Sequence, residues 1–233
     1  MPDRDKVRKF WDARARLYQN MAFESIANLE QDRENLQLKI THETEKVFSW
    51  LGGVEGKTVL DLGAGVGQWA FRFSERGAAR VTAVEFSADL AEIGRAECHH
   101  RQIDNVDFVV SPAESFRCAD EYDVILCSGL CVYLDDDQFR SMAHNVPGMV
   151  RPGGLFLLRD GMARQERYEI NDRFSEHLQT NYSATYRTRE VYLETLSDPS
   201  LELLRDENMF PEGHPLNKYP QTRLHVFLFR RIA

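Results

Sequence analysis

The apolar positions of this chain change their spacing from one region to the next. Over 3–19, Val7, Phe10, Trp11 and Tyr18 recur at helical intervals. A second helical pattern runs from about Ser25 to Leu51, with Leu36, Ile40, Val47, Trp50 and Leu51 on one side, until Gly52 and Gly53 stop it. Short apolar runs then alternate with amphipathic stretches: strand 58–62, helix 67–76, strand 80–85, helix 88–101, strand 106–110, strand 122–127, helix 135–146 and strand 154–159. Such alternation predicts an α/β fold with a parallel, doubly wound sheet. Pro147 and Gly148 are expected to break helix 135–146 before Arg151-Pro152-Gly153-Gly154 turns the chain. Residues 160–190 leave the alternation. They are polar, helical in propensity and crowded with Arg164, Arg167, Tyr168, Arg173, Tyr182, Tyr186, Arg187 and Arg189. Following a strand whose C-terminal end faces the ligand crevice of such folds, they are expected to form a lid. A helix at 189–196, a strand near 201–206, a Pro/Gly loop at 209–220 and a strand at 222–229 complete the reading.

The densest chemistry lies at the first strand. Thr58-Val59-Leu60 ends in Asp61, and Gly63, Gly65 and Gly67 follow at alternate positions before a helical stretch. Glycines there permit positive φ and let a ligand approach the backbone. The helix start behind them offers free N–H groups and a partial positive charge. The dinucleotide fingerprint G-x-G-x-x-G would need glycine where Gln68 stands. Val81–Val84 ends in Glu85, a carboxylate at the tip of a second strand that suits both hydroxyls of a ribose.

Asp61-Leu62-Gly63-Ala64-Gly65-Val66-Gly67 resembles motif I of the class I S-adenosylmethionine-dependent methyltransferases, and Glu85 matches that family's ribose-binding acid. Val106–Phe116 is similar to the third strand and adenine loop, Tyr122–Leu126 to the fourth strand, and Arg151–Leu158 to the turn and fifth strand. The resemblance implies a seven-stranded Rossmann-like sheet with the last strand antiparallel, N-terminal cap helices over 1–52, a cofactor core over 55–160, a lid insert after strand 5 and a C-terminal hairpin edge over 191–233. It implies S-adenosyl-L-methionine as cofactor, placed by Asp61, Gly63, Ala64, Gly65, Glu85, Phe86, Ala113, Glu114, Ser128 and Gly129, with the Tyr18 hydroxyl over its carboxylate. Asp61 has a second reading, orienting the loop through backbone N–H groups, and Tyr18 has one as plain core. Pro112 stands where the family often has Asp or Ser, so an adenine amino contact falls to Glu114 or the backbone.

Composition narrows the acceptor. The chain has 233 residues, enough for one α/β domain with additions, and its formal charge of −8 argues against nucleic acid. No apolar run approaches the ~20 residues a membrane span needs, and MPDRDKVRKF lacks the apolar core of a signal peptide, so a cytoplasmic protein is expected. Cys98, Cys118, Cys127 and Cys131 show no metal-ligand spacing and are read as reduced thiols. Family members that methylate amino groups of bases or glutamine carry Asn/Asp-Pro-Pro-aromatic after the fourth strand, where this chain reads Ser128-Gly129-Leu130-Cys131-Val132-Tyr133. A small-molecule acceptor under the lid is therefore expected, methylated at oxygen or nitrogen, in a monomer or a homodimer; a protein or RNA methyltransferase, or an S-adenosylmethionine-binding interaction protein without catalysis, is the competing reading. Asp160, past the fifth strand, is the best-placed acid for general-base work, with His177 in the lid and His214 in the 209–220 loop as alternatives. His99 and His100 close a helix and His144 sits on an outer face. Arg159 with the lid residues Tyr168, Tyr182 and Arg187, together with Tyr133, would surround the acceptor, the arginines suiting an anionic one. A solvated charged surface is the competing reading of these arginines.

Overall fold

The computed structural model describes residues 3–16, 23–28, 30, 32–175 and 180–232. Five parallel strands form the centre: β1 (Thr58–Leu62), β2 (Arg80–Glu85), β3 (Val106–Val110), β4 (Tyr122–Ser128) and β5 (Val150–Ala163). With β8 (Leu201–Asn208) and β9 (Thr222–Arg231) they make a seven-stranded sheet in the order β3-β2-β1-β4-β5-β9-β8, and β9 runs antiparallel to both neighbours. The sequence expectation of a doubly wound α/β sheet with an antiparallel last strand holds.

Helices α1 (Arg4–Arg16), α2 (Phe23–Ile26) and α3 (Arg33–Leu51) precede the sheet; α4 (Gln68–Glu75), α5 (Ala88–Arg101), α6 (Asp136–Met149) and α7 (Arg189–Thr195) lie between strands. Both faces of the sheet are covered, so central strands read as unbroken apolar runs rather than alternating ones. Val124, Ile125, Leu126 and Cys127 are fully buried. Val47, Trp50 and Leu51 of α3 pack with Trp69, Phe71 and Phe73 of α4 on one face. Phe139, Met142 and Val146 of α6 pack on the other with Tyr192 of α7. Gly94 of α5 lets the Phe108 ring of β3 approach to where a Cβ would lie 2.2 Å from it, so helix and strand close tightly.

Three expectations change. The pattern from Ser25 to Leu51 divides into α2 and α3, because Asp32 caps α3 by accepting from the Asn35 amide at 2.8 Å. Pro147 and Gly148 do not break their helix: α6 runs to Met149 with Pro147 inside its last turn, so the missing Pro147 donor removes a single i→i−4 bond at the end of the helix and leaves the turns before it intact. Among the described residues, 160–188 carry no helix. β5 extends to Ala163, and β6 (Tyr168–Ser175) and β7 (Thr180–Tyr186) pair antiparallel. Tyr182-Ser183-Ala184-Thr185-Tyr186 is rich in aromatic and β-branched residues, which fit a pleated surface packed on one side. That side meets α1, where Phe10 contacts the Tyr182 ring edge-on at 5.8 Å.

Candidate active site

The strand order reverses between β1 and β4, and ligands of open α/β sheets bind beyond the carboxyl ends at such a point. A cavity of about 280 Å³ opens there. Gly63, Gly65 and Gly67 at the end of β1 all have positive φ (77°, 58° and 88°). At Gly65 a Cβ would also stand 2.9 Å from the Ala27 methyl group, so two constraints require glycine. Glu85 closes on this turn: Oε2 accepts the Gly65 amide at 2.8 Å and Oε1 accepts the Ser87 amide at 2.9 Å. Burial pushes the Glu85 carboxyl up to about 7, against the pull of those two amides. Asp61 is likewise raised to about 7, by burial first and then by the Glu85 charge. Its Oδ2 is buried without a hydrogen-bond partner.

Ser111, Pro112, Ala113 and Glu114, after β3, form the next part of the wall. Ser141 and Asn145 of α6 hold this loop by donating to the Glu114 carbonyl at 2.9 and 3.0 Å. Helix α1 lies across the opening. Arg4 pairs with the Glu114 carboxylate at 3.3 Å, and Asp12 accepts from the Ser87 hydroxyl at 2.6 Å. Buried Arg14 donates to the carbonyls of Ser25 and Ile26 at 2.7 and 2.9 Å, fixing the end of α2 beside the glycine turn, where Ala27 meets Gly65.

Beyond β4 the cavity widens between Tyr133, Asp160, Gly161, Tyr186 and Leu224 on one side and Lys39, Glu43 and Arg159 on the other. Asp160 is fully buried in β5. Its oxygens accept the Cys131 amide at 2.5 Å and the Gly161 amide at 2.7 Å, while burial lifts its carboxyl to about 6. Burial raises the pKa of the Tyr133 hydroxyl, outweighing the hydrogen bond it accepts from Tyr182 at 3.5 Å, so it stays a neutral phenol. Arg159 donates to the Ser128 hydroxyl at 2.7 Å and pairs with Glu43 of α3, both side chains more than nine-tenths buried.

Of the residues singled out in the sequence, Gly63, Ala64, Gly65, Glu85, Phe86, Ala113, Glu114, Ser128, Gly129, Tyr133, Arg159 and Asp160 line this one cavity. Asp61 lies beneath it. Tyr18 and His177 fall outside the described residues. Four assignments need correction. His214 is away from the cavity: its ring stacks on Phe210 at 4.8 Å and its Nδ1 accepts the Leu216 amide. Arg187 faces no acceptor space, because its guanidinium is buried against the Cys131 and Leu134 carbonyls (2.8 and 2.7 Å) and Asp136. Tyr168 packs on Tyr186 within the hairpin, and Tyr182 on Phe10 and Tyr133, both outside the cavity wall. The other arginines of the segment are not a clamp either: Arg164 pairs with Glu212, Arg167 with Asp136 and Glu169, and Arg189 with Asp206 at the surface.

Sequence reasoning missed Asn28, Lys39, Glu43 and Arg72, which all line the cavity. A signal was present for two of them. Lys39 and Glu43 interrupt the apolar stripe of Leu36, Ile40 and Val47 on α3, and a charged residue on a buried stripe needs a partner. Among the described residues no cluster of His, Cys, Asp or Glu could hold a metal ion, and no helix is long and apolar enough to cross a membrane.

The family model described as a methyltransferase domain matches residues 59–154. The chain is 27% identical over 153 residues to the ubiquinone biosynthesis O-methyltransferase of Aeromonas salmonicida (strain A449), covering 63% of each. It is 26% identical over 140 residues to protein arginine N-methyltransferase 6 of Danio rerio, covering 59% of this chain and 40% of that one. The chain thus spans less than two thirds of either relative. The solved phosphoethanolamine N-methyltransferase 1 of Haemonchus contortus, in complex with phosphoethanolamine and S-adenosylhomocysteine, superimposes with a TM-score of 0.75 at 20% identity, over 98% of this chain and 49% of that one.

Proposed function

We propose, for a chain that carries a methyltransferase domain of the class I S-adenosylmethionine-dependent fold, that it transfers a methyl group from S-adenosylmethionine to an oxygen or nitrogen of a small molecule. The observation that carries this reading is the continuity of the cavity. A wall suited to a nucleoside (glycine turn, Glu85, 111–114 loop) belongs to the same cavity as a second set of residues, Tyr133, Arg159, Asp160, Gly161 and Tyr186, beside which an acceptor can lie. The fit to the cofactor rests on two features of this chain: the Gly65 backbone that any side chain would close, and a buried carboxylate whose ionised form gains from hydroxyl donors.

When bound, the cofactor supplies an activated methyl on a sulfonium for in-line displacement. The residues then have separate tasks. Glu85 accepts the ribose hydroxyls, and the backbone at Gly63–Gly65 and Ser128–Gly129 fixes the amino-acid end. Holding the two reactants at attack distance supplies on the order of 7–11 kcal/mol, so rigid walls do most of the work. Asp160, clamped by two amides beside the acceptor space, takes a proton from an acceptor hydroxyl or ammonium. Helix α1, latched through Arg4 and Asp12, covers part of the opening with Arg4, Val7 and Trp11, which favours a small acceptor over a protein side chain.

The test is a methyl-transfer assay with labelled S-adenosylmethionine against a metabolite panel and, separately, a protein extract. Turnover confined to the extract's macromolecules would remove the small-molecule reading, and failure of S-adenosylhomocysteine to bind by calorimetry would remove the enzyme reading as a whole.

A further inference from the structure

The acceptor end of the cavity carries more positive charge than the protein itself uses. Lys39 of α3, Arg72 of α4 and Arg159 of β5 all line it. Glu43 is the one carboxylate within ion-pair reach of any of them among the described residues. Two cations converge on a single oxygen of it: Arg159 Nη2 pairs with Glu43 Oε1, and Lys39 Nζ lies 3.9 Å from the same atom. Nearby, Lys218 is already matched by Glu30 at 2.5 Å. Asp61 and Asp160 stand beyond ion-pair distance of the three cations.

The donors are also underused. A lysine ammonium has three N–H bonds, and Lys39 spends one on Asn28 Oδ1 at 3.0 Å. Arg159 Nε is buried with no partner. Arg72 donates to no acceptor among the described residues; its guanidinium carbon lies over the Trp69 ring, 4.6 Å from the centroid, a contact that satisfies none of its N–H donors. Structural ion-pair networks end with their donors paired, because an unpaired buried donor is costly. This one ends with its donors facing a cavity. Loss of hydration holds Lys39 and Arg72 below their ordinary pKa, a penalty that a bound anion relieves.

Position decides which ligand this charge serves. The nucleoside wall occupies the ends of β1, β2 and β3. Arg159 projects from β5, two strands from β1 and so roughly 10 Å from it, and its bond to Ser128 sets the cation group beyond the nucleoside wall, next to the cofactor's amino-acid end. Lys39 reaches the same end from α3. We propose that Lys39, Arg72 and Arg159 form an oxyanion subsite that holds a phosphate or phosphonate group of the methyl acceptor, with Glu43 as the built-in counter-ion that fixes the cations in the free protein. The subsite rests on the methyltransferase reading, and it names the substrate class: a small molecule with a tetrahedral oxyanion at one end and the methylated oxygen or nitrogen at the other. Two cations already meeting at one carboxylate oxygen are spaced for bidentate capture, and Arg72, on the same cavity wall, adds a third donor group.

The experiment titrates inorganic phosphate, with acetate as comparison, into the full chain saturated with S-adenosylhomocysteine at constant ionic strength. The wild type, Lys39→Gln and Glu43→Gln are compared, each checked for an unchanged circular-dichroism spectrum. The subsite predicts saturable phosphate binding, tighter than acetate. Lys39→Gln, at a side chain 23% exposed and able to fold, weakens it about tenfold or more. Glu43→Gln tightens it by freeing both cations, whereas a purely structural network would lose order and bind less. S-adenosylhomocysteine affinity stays within about twofold in Lys39→Gln. Phosphate that does not saturate, or equal phosphate affinity in all three proteins, overturns the subsite. A parallel fall in S-adenosylhomocysteine affinity also overturns it, assigning the cations to the cofactor's own carboxylate. Should the wild type fail to bind S-adenosylhomocysteine, the enzyme reading fails by itself, and phosphate titrated into the unloaded chain still decides the subsite.

Discussion

Replacing Glu85 by glutamine separates the carboxylate's charge from its shape. In the unliganded protein this side chain accepts the buried amides of Gly65 and Ser87, yet its pKa rises from 4.5 to about 7 because burial outweighs both. At ~1.4 kcal/mol per unit, the ionised form is held at a cost of roughly 3 kcal/mol. A ribose that donates two hydroxyl hydrogen bonds to the ionised group recovers about 1.5–3 kcal/mol from each. In the glutamine variant one oxygen becomes an NH2 group facing an amide donor, so at least one of the two ribose bonds is lost with the charge. S-adenosylhomocysteine affinity should fall about a hundredfold, read by calorimetry. The sign of the pH dependence follows. Below pH 7 the free protein's Glu85 carries a proton that binding must expel, so wild-type affinity rises from pH 6 to 8 and levels off above. The same raised pKa gives unliganded stability that is full below about pH 4.5 and declines as pH rises toward 7. Asp61 moves in the same direction and leaves a residual slope in the variant. An affinity for the variant within about threefold of wild type, with an unchanged pH slope, would refute the ribose assignment.

Other consequences are smaller in scope. Gly65→Val places a β-branched residue at φ 58° and a methyl group against Ala27, so thermal denaturation should show a loss of about 1–3 kcal/mol and calorimetry no cofactor binding; retained binding would remove the glycine turn from the site. Asp160→Asn should lower kcat by about 10²–10⁴ and abolish an acid limb near pH 6, where the wild-type carboxyl loses its proton and gains activity. An unaltered kcat would leave Asp160 with only its hold on the Cys131 and Gly161 amides. Arg187→Met strips donors from the Cys131 and Leu134 carbonyls and should destabilise by on the order of 2–4 kcal/mol in urea denaturation, with KM for the acceptor unchanged.

Much of this protein was legible in its sequence because the signals are local. The turn from Asp61 to Gly67 needs glycine for reasons of φ that any backbone obeys, and strands buried on both faces read as apolar runs whatever they pack against. The carboxylate at the end of β2 follows from strand order alone. Other features depend on which surfaces meet. Tyr168–Ser175 and Thr180–Tyr186 became paired strands, not a helix, because α1 offers Phe10 and neighbouring apolar side chains to one face of β7. His214 and Arg187 carry side chains typical of active sites, but tertiary packing turned one onto Phe210 and spent the other on two carbonyls. Lys39 and Glu43 share one turn of α3, but Arg72 and Arg159 come from α4 and β5, and only folding brings the three elements to one cavity. A turn or a strand is dictated over a few residues, whereas the company a charged side chain keeps is set by contacts across the whole chain, which no local pattern encodes.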